Sequence, residues 1–241
     1  MSYRSEVLTR LQAAFEPQCD PTRAAAMSAY MRNLFPYLGI PSPQRSALTR
    51  EALTGLPRPS PLDVQEAALA LWELPEREYQ YAACGLLERH AKSLDPDFLP
   101  VGRKLVQTKS WWDTVDTLAS NVIGTVVLQN PELRAEMDRW IEDEDFWVTR
   151  VAILHQLRHK SATDARRLFA YCEHRSGDAE FFIRKAIGWA LREYSKTDAE
   201  AVRTFVASHE GMLSGLSKRE ALLWLNGGRG ARRNRSEPAA T

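Results

Sequence analysis

The sequence predicts an all-α chain, an α-solenoid assembled from repeated helix pairs. Three observations carry that expectation. Apolar residues recur at three- and four-residue spacing along most of the chain, and no sustained period-two run bounded by hairpin turns interrupts them. In the second half one segment also recurs at a fixed step: Asp145-Phe146-Trp147-Val148-Thr149-Arg150-Val151-Ala152 aligns without a gap on Glu180-Phe181-Phe182-Ile183-Arg184-Lys185-Ala186-Ile187, an offset of 35 residues. The same step backwards takes Trp147 to Trp112 and Phe146 to Trp111, and forwards it takes Arg184-Lys185-Ala186 to Arg219-Glu220-Ala221. An interval that holds two short helices is the mark of a stacked array whose equivalent helices line one concave face.

The elements follow in order. Residues 3–16 form an amphipathic helix with Val7, Leu8, Leu11 and Phe15 on one face. Residues 22–35 form a second, with Met27, Tyr30, Met31 and Leu34 on one face. Pro17 and Pro21 separate the two. The run Leu38-Gly39-Ile40-Pro41-Ser42-Pro43 stops one helix and starts the next, which covers residues 44–53. Gly55 and the run Pro57-Arg58-Pro59-Ser60-Pro61 make a stiff connector inside one domain. From Leu62 onward, helical segments are divided at Pro75, Pro96, Pro100, Pro131, Ser161-Ala162-Thr163 and Ser176-Gly177. One domain is expected over residues 1–226. A flexible basic tail is expected over 227–241, carried by Arg229, Arg232, Arg233 and Arg235.

A chain of 241 residues buries a sizeable core, and 44% hydrophobic with 26% charged residues is an ordinary soluble composition. The net charge of +1 conceals a division. From Phe146 to Arg235 there are 17 Lys and Arg against 9 Asp and Glu, an excess of eight positive charges, so the remainder carries −7. A basic half is what an anionic polymer would feel; locally lopsided solvated faces are the alternative. Cys19, Cys84 and Cys172 are scattered without a CxxC, which fits buried thiols in a reducing compartment and excludes a disulfide framework or a zinc cage. Arg4, Glu6 and Arg10 argue against a signal peptide, and no apolar run reaches membrane-spanning length. A cytoplasmic location is expected.

The chemistry centres on Lys109-Ser110-Trp111-Trp112-Asp113-Thr114-Val115-Asp116, read as a helix start at Ser110. Trp112 and Asp116 are four apart and share a face, which sets an indole beside a lone carboxylate. The alternative is that the indoles are core and Asp116 a solvated edge. The repeat places Trp112, Trp147 and Phe182 in one column, in which Trp112 and Trp147 face either the core or a groove. Trp111, Phe146 and Phe181 are assigned to the core between repeats. Arg150 and Lys185 coincide in the same register and form a ladder of cations. Lys185, Trp189 and Arg192 share a face, an aromatic between two cations, as a nucleic-acid groove uses them; a core Trp189 flanked by snorkelling side chains is the alternative. His155 and His159 are four apart, but Gln156 stands where a zinc hydrolase of that spacing needs Glu, and a third ligand is missing, so no metal is expected. Nor is any cofactor, since there is no glycine-rich phosphate loop.

Taken together these residues resemble the bacterial DNA alkylation repair family, the AlkD-type HEAT-like-repeat DNA glycosylases. The matching runs are Tyr30-Met31-Arg32-Asn33, Phe35 to Pro43, Leu71 to Glu78, Lys109 to Asp116, Trp147 to Gln156, Phe181 to Tyr194 and Leu216 to Ala221, in the right order over most of the chain. The resemblance implies that Trp112, Asp116, Arg150 and Trp189 occupy the active-site positions and that Tyr30 and Arg192 lie at the groove. Arg45, Lys109, Trp147 and Lys185 complete the residues expected to meet DNA. After the Gly-Ile-x-x-Pro turn the family commonly carries adjacent arginines; here the pair is Arg45-Ser46, one phosphate contact fewer.

The implied activity is release of cationic N3- or N7-alkylated purines from duplex DNA by a monomer. Such a base leaves neutral, so no general acid is required. Asp116 would stabilise positive charge on the deoxyribose and position water, Trp112 and Trp189 would line the sugar, and Arg150 would hold a nearby phosphate. A solenoid groove offers no obvious deep pocket, and the resemblance implies action without base flipping. Two other readings stay open at this point: a relative that binds DNA without excising bases, and a protein-binding helical scaffold.

Overall fold

The computed structural model of the protein describes residues 2–227. Apart from Gly227, the expected basic tail lies outside the described residues. The described residues are helical throughout, with no strand among them. The chain divides into two compact units, Met1–Lys109 and Ser110–Thr241, where the sequence reading expects one domain with its best internal break near Pro57.

The first unit holds α1 (Tyr3–Phe15), α2 (Pro21–Tyr30), α3 (Ser42–Ala52), α4 (Pro61–Glu73), α5 (Arg77–His90) and α6 (Phe98–Gln107). Their starts follow the sequence chemistry. Ser2, Asp20 and Ser60 accept from backbone N–H groups of the following turn, Ser60 within a reciprocal capping box with Asp63. Proline opens α2, α3 and α4, where its missing N–H costs nothing. Val7, Leu11 and Phe15 are the buried face of α1. α2 ends at Tyr30 rather than at residue 35, because Arg32 and Asn33 take left-handed backbone, with φ of 59° and 57°. The face assigned to its C-terminal turn is therefore not a core face: Met31 is buried, but Tyr30 is 77% and Leu34 50% exposed.

Two buried charges hold the segment that follows α2. The carboxylate of Glu78 is fully buried and accepts the backbone N–H groups of Leu38, Gly39 and Ile40 at 3.0, 2.9 and 3.1 Å. Hydrogen bonds to a charged group are worth about 1.5–3 kcal/mol each, so one side chain fixes the turn. Gly39 has φ +89°, and an added Cβ would stand 2.3 Å from the Asp20 carbonyl oxygen, so only glycine fits there. Arg77, also fully buried, lies 3.8 Å over the Phe35 ring and donates to the Lys109 carbonyl at 2.8 Å. The run Leu71 to Glu78 is thus a clamp for its own unit.

The second unit holds α7 (Trp112–Thr117), α8 (Gly124–Gln129), α9 (Arg134–Trp140), α10 (Phe146–Leu154), α11 (Ala165–His174), α12 (Phe181–Tyr194), α13 (Ala199–Ser208) and α14 (Gly215–Leu222). The expected register is visible in it. α10 and α12 begin at Phe146 and Phe181, and each is capped by the acid before it, Asp145 to the Trp147 N–H at 2.9 Å and Glu180 to the Phe182 N–H at 3.2 Å. α7 starts one residue later than expected, with Trp111 and not Ser110 as its N-cap residue. α7 runs into α8 through a π-helical segment, Leu118–Ile123, whose Leu118, Ala119, Val122 and Ile123 are buried. Such a widened turn recurs at functional sites, and here it begins two residues after Asp116. Gly124 opens α8 because an added Cβ would lie 2.0 Å from the His155 carbonyl oxygen.

His155 and His159 turn inward to backbone. The Nδ1–H of His155 donates to the Ala152 carbonyl at 2.7 Å, and Nε2–H of His159 to that of Gly124 at 2.9 Å. Burial pushes the His155 pKa from 6.5 down to about 3. Between those values the unfolded chain binds a proton that the folded chain refuses. Stability is therefore complete above 6.5 and is lost as pH falls towards 3. The urea midpoint is expected to drop between about pH 7 and pH 5, and His155→Asn, whose amide nitrogen takes the place of Nδ1, should flatten much of that slope. Burial also lowers the pKa values of His159 and His90, which leaves a residual slope. An unchanged slope in His155→Asn would refute this account.

Of the cysteines, Cys84 and Cys172 are buried as expected, while Cys19 is exposed. No described helix is long and apolar enough to cross a membrane.

Candidate active site

In the second unit, three helices converge on a pocket of about 210 Å³. α7 supplies Trp112 and Asp116 from one face, as their spacing requires. α10 supplies Arg150, and α12 supplies Phe181, Phe182, Lys185 and Trp189. At its centre Arg150 and Asp116 form a two-pronged pair, Nε to Oδ1 at 2.7 Å and Nη2 to Oδ2 at 2.8 Å. Nη1 of Arg150 donates to the carbonyl oxygen of Phe182. The Arg150 side chain is 1% exposed and that of Asp116 17%. A guanidinium forks onto a carboxylate in one plane, so the pair fixes both the place and the orientation of the acid. Burial raises the pKa of Asp116 above 3.8; Arg150 opposes the rise and the nearby charge of Asp113 adds to it.

Arg150 therefore does not stand free for a phosphate, the role the resemblance implied for it. Its charge is buried and turned onto Asp116. The distinction matters because an exposed cation that neutralises a phosphate releases counterions condensed on the DNA, whereas one already paired with a carboxylate neutralises no phosphate and releases none.

Trp189 forms one wall. The Arg150 guanidinium carbon lies 5.6 Å from its ring centroid, and Lys185 Nζ and the Arg192 guanidinium carbon each lie 5.8 Å away. The expected cation–aromatic–cation face is thus present on α12. The structure adds a partner: Lys185 donates to Glu220 Oε1 at 2.6 Å and Arg192 to Glu220 Oε2 at 3.0 Å.

Other expected positions fall elsewhere. Trp147 is 7% exposed and packs 5.9 Å from Trp111 and 4.8 Å from Phe182, ring centre to ring centre. It is core, and not the DNA contact expected of it. Lys109 spends its ammonium on carbonyl groups at the C-terminus of α4, donating to Trp72 at 2.7 Å and Leu74 at 2.6 Å. That cap, and not an anion, accounts for its charge, so it too leaves the DNA-facing set. Tyr30 and Arg45 belong to the first unit. The Arg45 guanidinium lies 4.3 Å over the Tyr81 ring and donates to Ser42 Oγ at 3.3 Å. Burial there lowers its pKa from the ordinary guanidinium value.

Two residues at the site were not anticipated. Phe181, assigned to the core, is 56% exposed and lines the pocket. Glu220 is equivalent to Lys185 in the repeat, and opposite charges at equivalent turns of stacked units are placed to pair.

Fold and site together define a helical-repeat protein with a carboxylate-centred, aromatic-walled pocket. The chain belongs to the family of DNA alkylation repair enzymes, whose model matches residues 11–225. It is also similar to a solved structure described as a predicted DNA alkylation repair enzyme from Enterococcus faecalis, at 33% identity and a TM-score of 0.77, over 86% of this chain and 97% of that one. No curated protein matches the chain. The role that this membership supports is DNA alkylation repair.

Proposed function

We propose that the protein is a DNA glycosylase that releases cationic N3- and N7-alkylated purines from duplex DNA. The observation that carries this reading is the lone carboxylate of Asp116, fixed by Arg150 in an aromatic-walled pocket.

An alkylated purine of this class is already positively charged. The bond from deoxyribose C1′ to the ring nitrogen breaks with its electron pair going to the base, which leaves neutral. Positive charge then develops on the sugar, and an anion held beside it in a partly dry pocket lowers the barrier. Water adds to C1′, giving the abasic sugar, and its proton passes to Asp116 or to solvent. Trp112 and Trp189 flank the sugar and contribute cation–π attraction, about 0.5–2 kcal/mol each. Arg150 is the positioning residue for Asp116. Tyr30 and Arg45 remain proposed DNA contacts on the first unit.

Incubation with duplex containing 7-methylguanine should yield free base and alkali-labile abasic sites in equal amounts. Duplex binding at low salt without release of base would leave a DNA-binding protein and overturn the catalytic reading. Absence of both would favour a protein-binding scaffold.

A further inference from the structure

Glu220 has no part in the chemistry above. Its surroundings are nonetheless built with care. α14 approaches α12 so closely that a Cβ on Gly188 would stand 2.4 Å from the Cβ of Glu220 and 3.0 Å from the Ser217 carbonyl oxygen. Ser217 ties the seam by donating its hydroxyl to the Arg184 carbonyl at 2.9 Å. The close approach delivers the Glu220 carboxylate, 13% exposed, to the flank of Trp189. There it takes Lys185 on one oxygen and Arg192 on the other.

An indole on a helix turns about two side-chain torsions. Lys185 Nζ and the Arg192 guanidinium carbon each lie 5.8 Å from its ring centroid, and cations held at fixed points against the ring oppose its rotation. One carboxylate, that of Glu220, holds both cations.

We propose that Glu220 is a positioning residue that sets the plane of Trp189 in the pocket and withholds Lys185 and Arg192 from the DNA backbone. The catalytic part of this inference rests on the glycosylase reading, since Trp189 is a wall of the pocket in which base release takes place.

The test combines Glu220→Ala, Glu220→Gln and Glu220→Asp in the full chain, with three readouts. The first is the indole N–H resonance of Trp189, assigned by its loss in Trp189→Phe. It should shift and exchange faster in Glu220→Ala and stay closer to its wild-type place in Glu220→Gln, which keeps an oxygen for one of the two cations. The second is the salt dependence of binding to an unmodified duplex, which should steepen by about one to two in slope in Glu220→Ala as two cations are released. The third is single-turnover release of 7-methylguanine where the variant is folded, which should fall about tenfold or more in Glu220→Ala and stay within about threefold in Glu220→Gln. A merely structural role would lower stability without steepening the salt slope or sparing Glu220→Gln. If Glu220→Ala does not fold, Glu220→Asp should give the same indole shift in weaker form. An indole resonance unmoved in Glu220→Ala, or in Glu220→Asp where Ala is unfolded, overturns the proposal, as does a moved resonance with unchanged excision. If the wild-type protein releases no base, the glycosylase reading fails by itself, and the indole resonance and salt slope still decide the positioning role.

Discussion

Asp116→Asn is expected to lower release of 7-methylguanine at least about 100-fold while leaving duplex affinity within about twofold. The amide has the shape of the carboxylate but not its charge, so it offers a developing sugar cation only a dipole. It also has one acceptor where Arg150 requires two: Nε to Oδ1 and Nη2 to Oδ2 both depend on oxygen. One prong becomes donor against donor, which costs stability on the order of 1–3 kcal/mol, and excision is therefore compared at a temperature where both proteins are folded. Affinity is spared because the buried acid contributes nothing attractive to a polyanion. The pH profile gives a second check. The reaction needs the ionised acid, and burial raises the Asp116 pKa above 3.8, so the acid limb of the rate should lie above that of an ordinary aspartate. Asp116→Asn should lack that limb once spontaneous depurination is subtracted. The sign for folding is opposite: a raised folded pKa means that protonation stabilises, a contribution present below 3.8 and lost as pH rises through the raised value. At neutral pH the ionised acid is held at some expense to the fold, as is common where a charge is kept for chemistry. Equal excision by the two proteins would remove Asp116 from the mechanism.

The parts of this arrangement that sequence makes legible are those set by period. Stacked repeats must present equivalent turns at one interval, so the 35-residue step locates the starts of α10 and α12 at Phe146 and Phe181, and the four-residue spacing places Trp112 and Asp116 on one face. The same argument cannot resolve neighbours. One residue is about 100° of helix, so a column fixed to within a residue leaves open which of two adjacent aromatics faces outward. That is how Trp147 turns out core and Phe181 exposed. The early end of α2 was only half legible, because Arg32 and Asn33 both adopt a left-handed backbone, which Asn favours and Arg does not announce. Charges were legible as charges and less so as pairs. Lys109 caps a helix within its unit, and Lys185 and Arg192 share Glu220. The Lys109 cap depends on the distance between two helices, which a linear pattern does not encode, whereas the repeat register already sets Glu220 against Lys185.

Arg150→Ala separates the two roles a cation could have here. A phosphate contact is exposed, contributes about one unit to the salt slope of binding, and is removed with little effect on folding. A buried partner of Asp116 should do the opposite. Its loss strands a carboxylate in a pocket where burial already raises its pKa, and breaking a buried pair typically costs about 3–5 kcal/mol. Arg150→Ala should therefore lower the urea midpoint and reduce excision about 100-fold or more where still folded, while the salt slope for unmodified duplex stays as in the wild type. It should also raise the Asp116 pKa further, which moves the acid limb of any residual activity upward. Arg150→Lys restores the charge but not the fork, and it reaches one carboxylate oxygen where the guanidinium reaches two. It should recover most of the stability and only part of the rate, because stability asks for a counter-charge while catalysis asks for a fixed carboxylate plane. A slope reduced by about one with unchanged stability would mean that the pair opens and Arg150 meets phosphate after all.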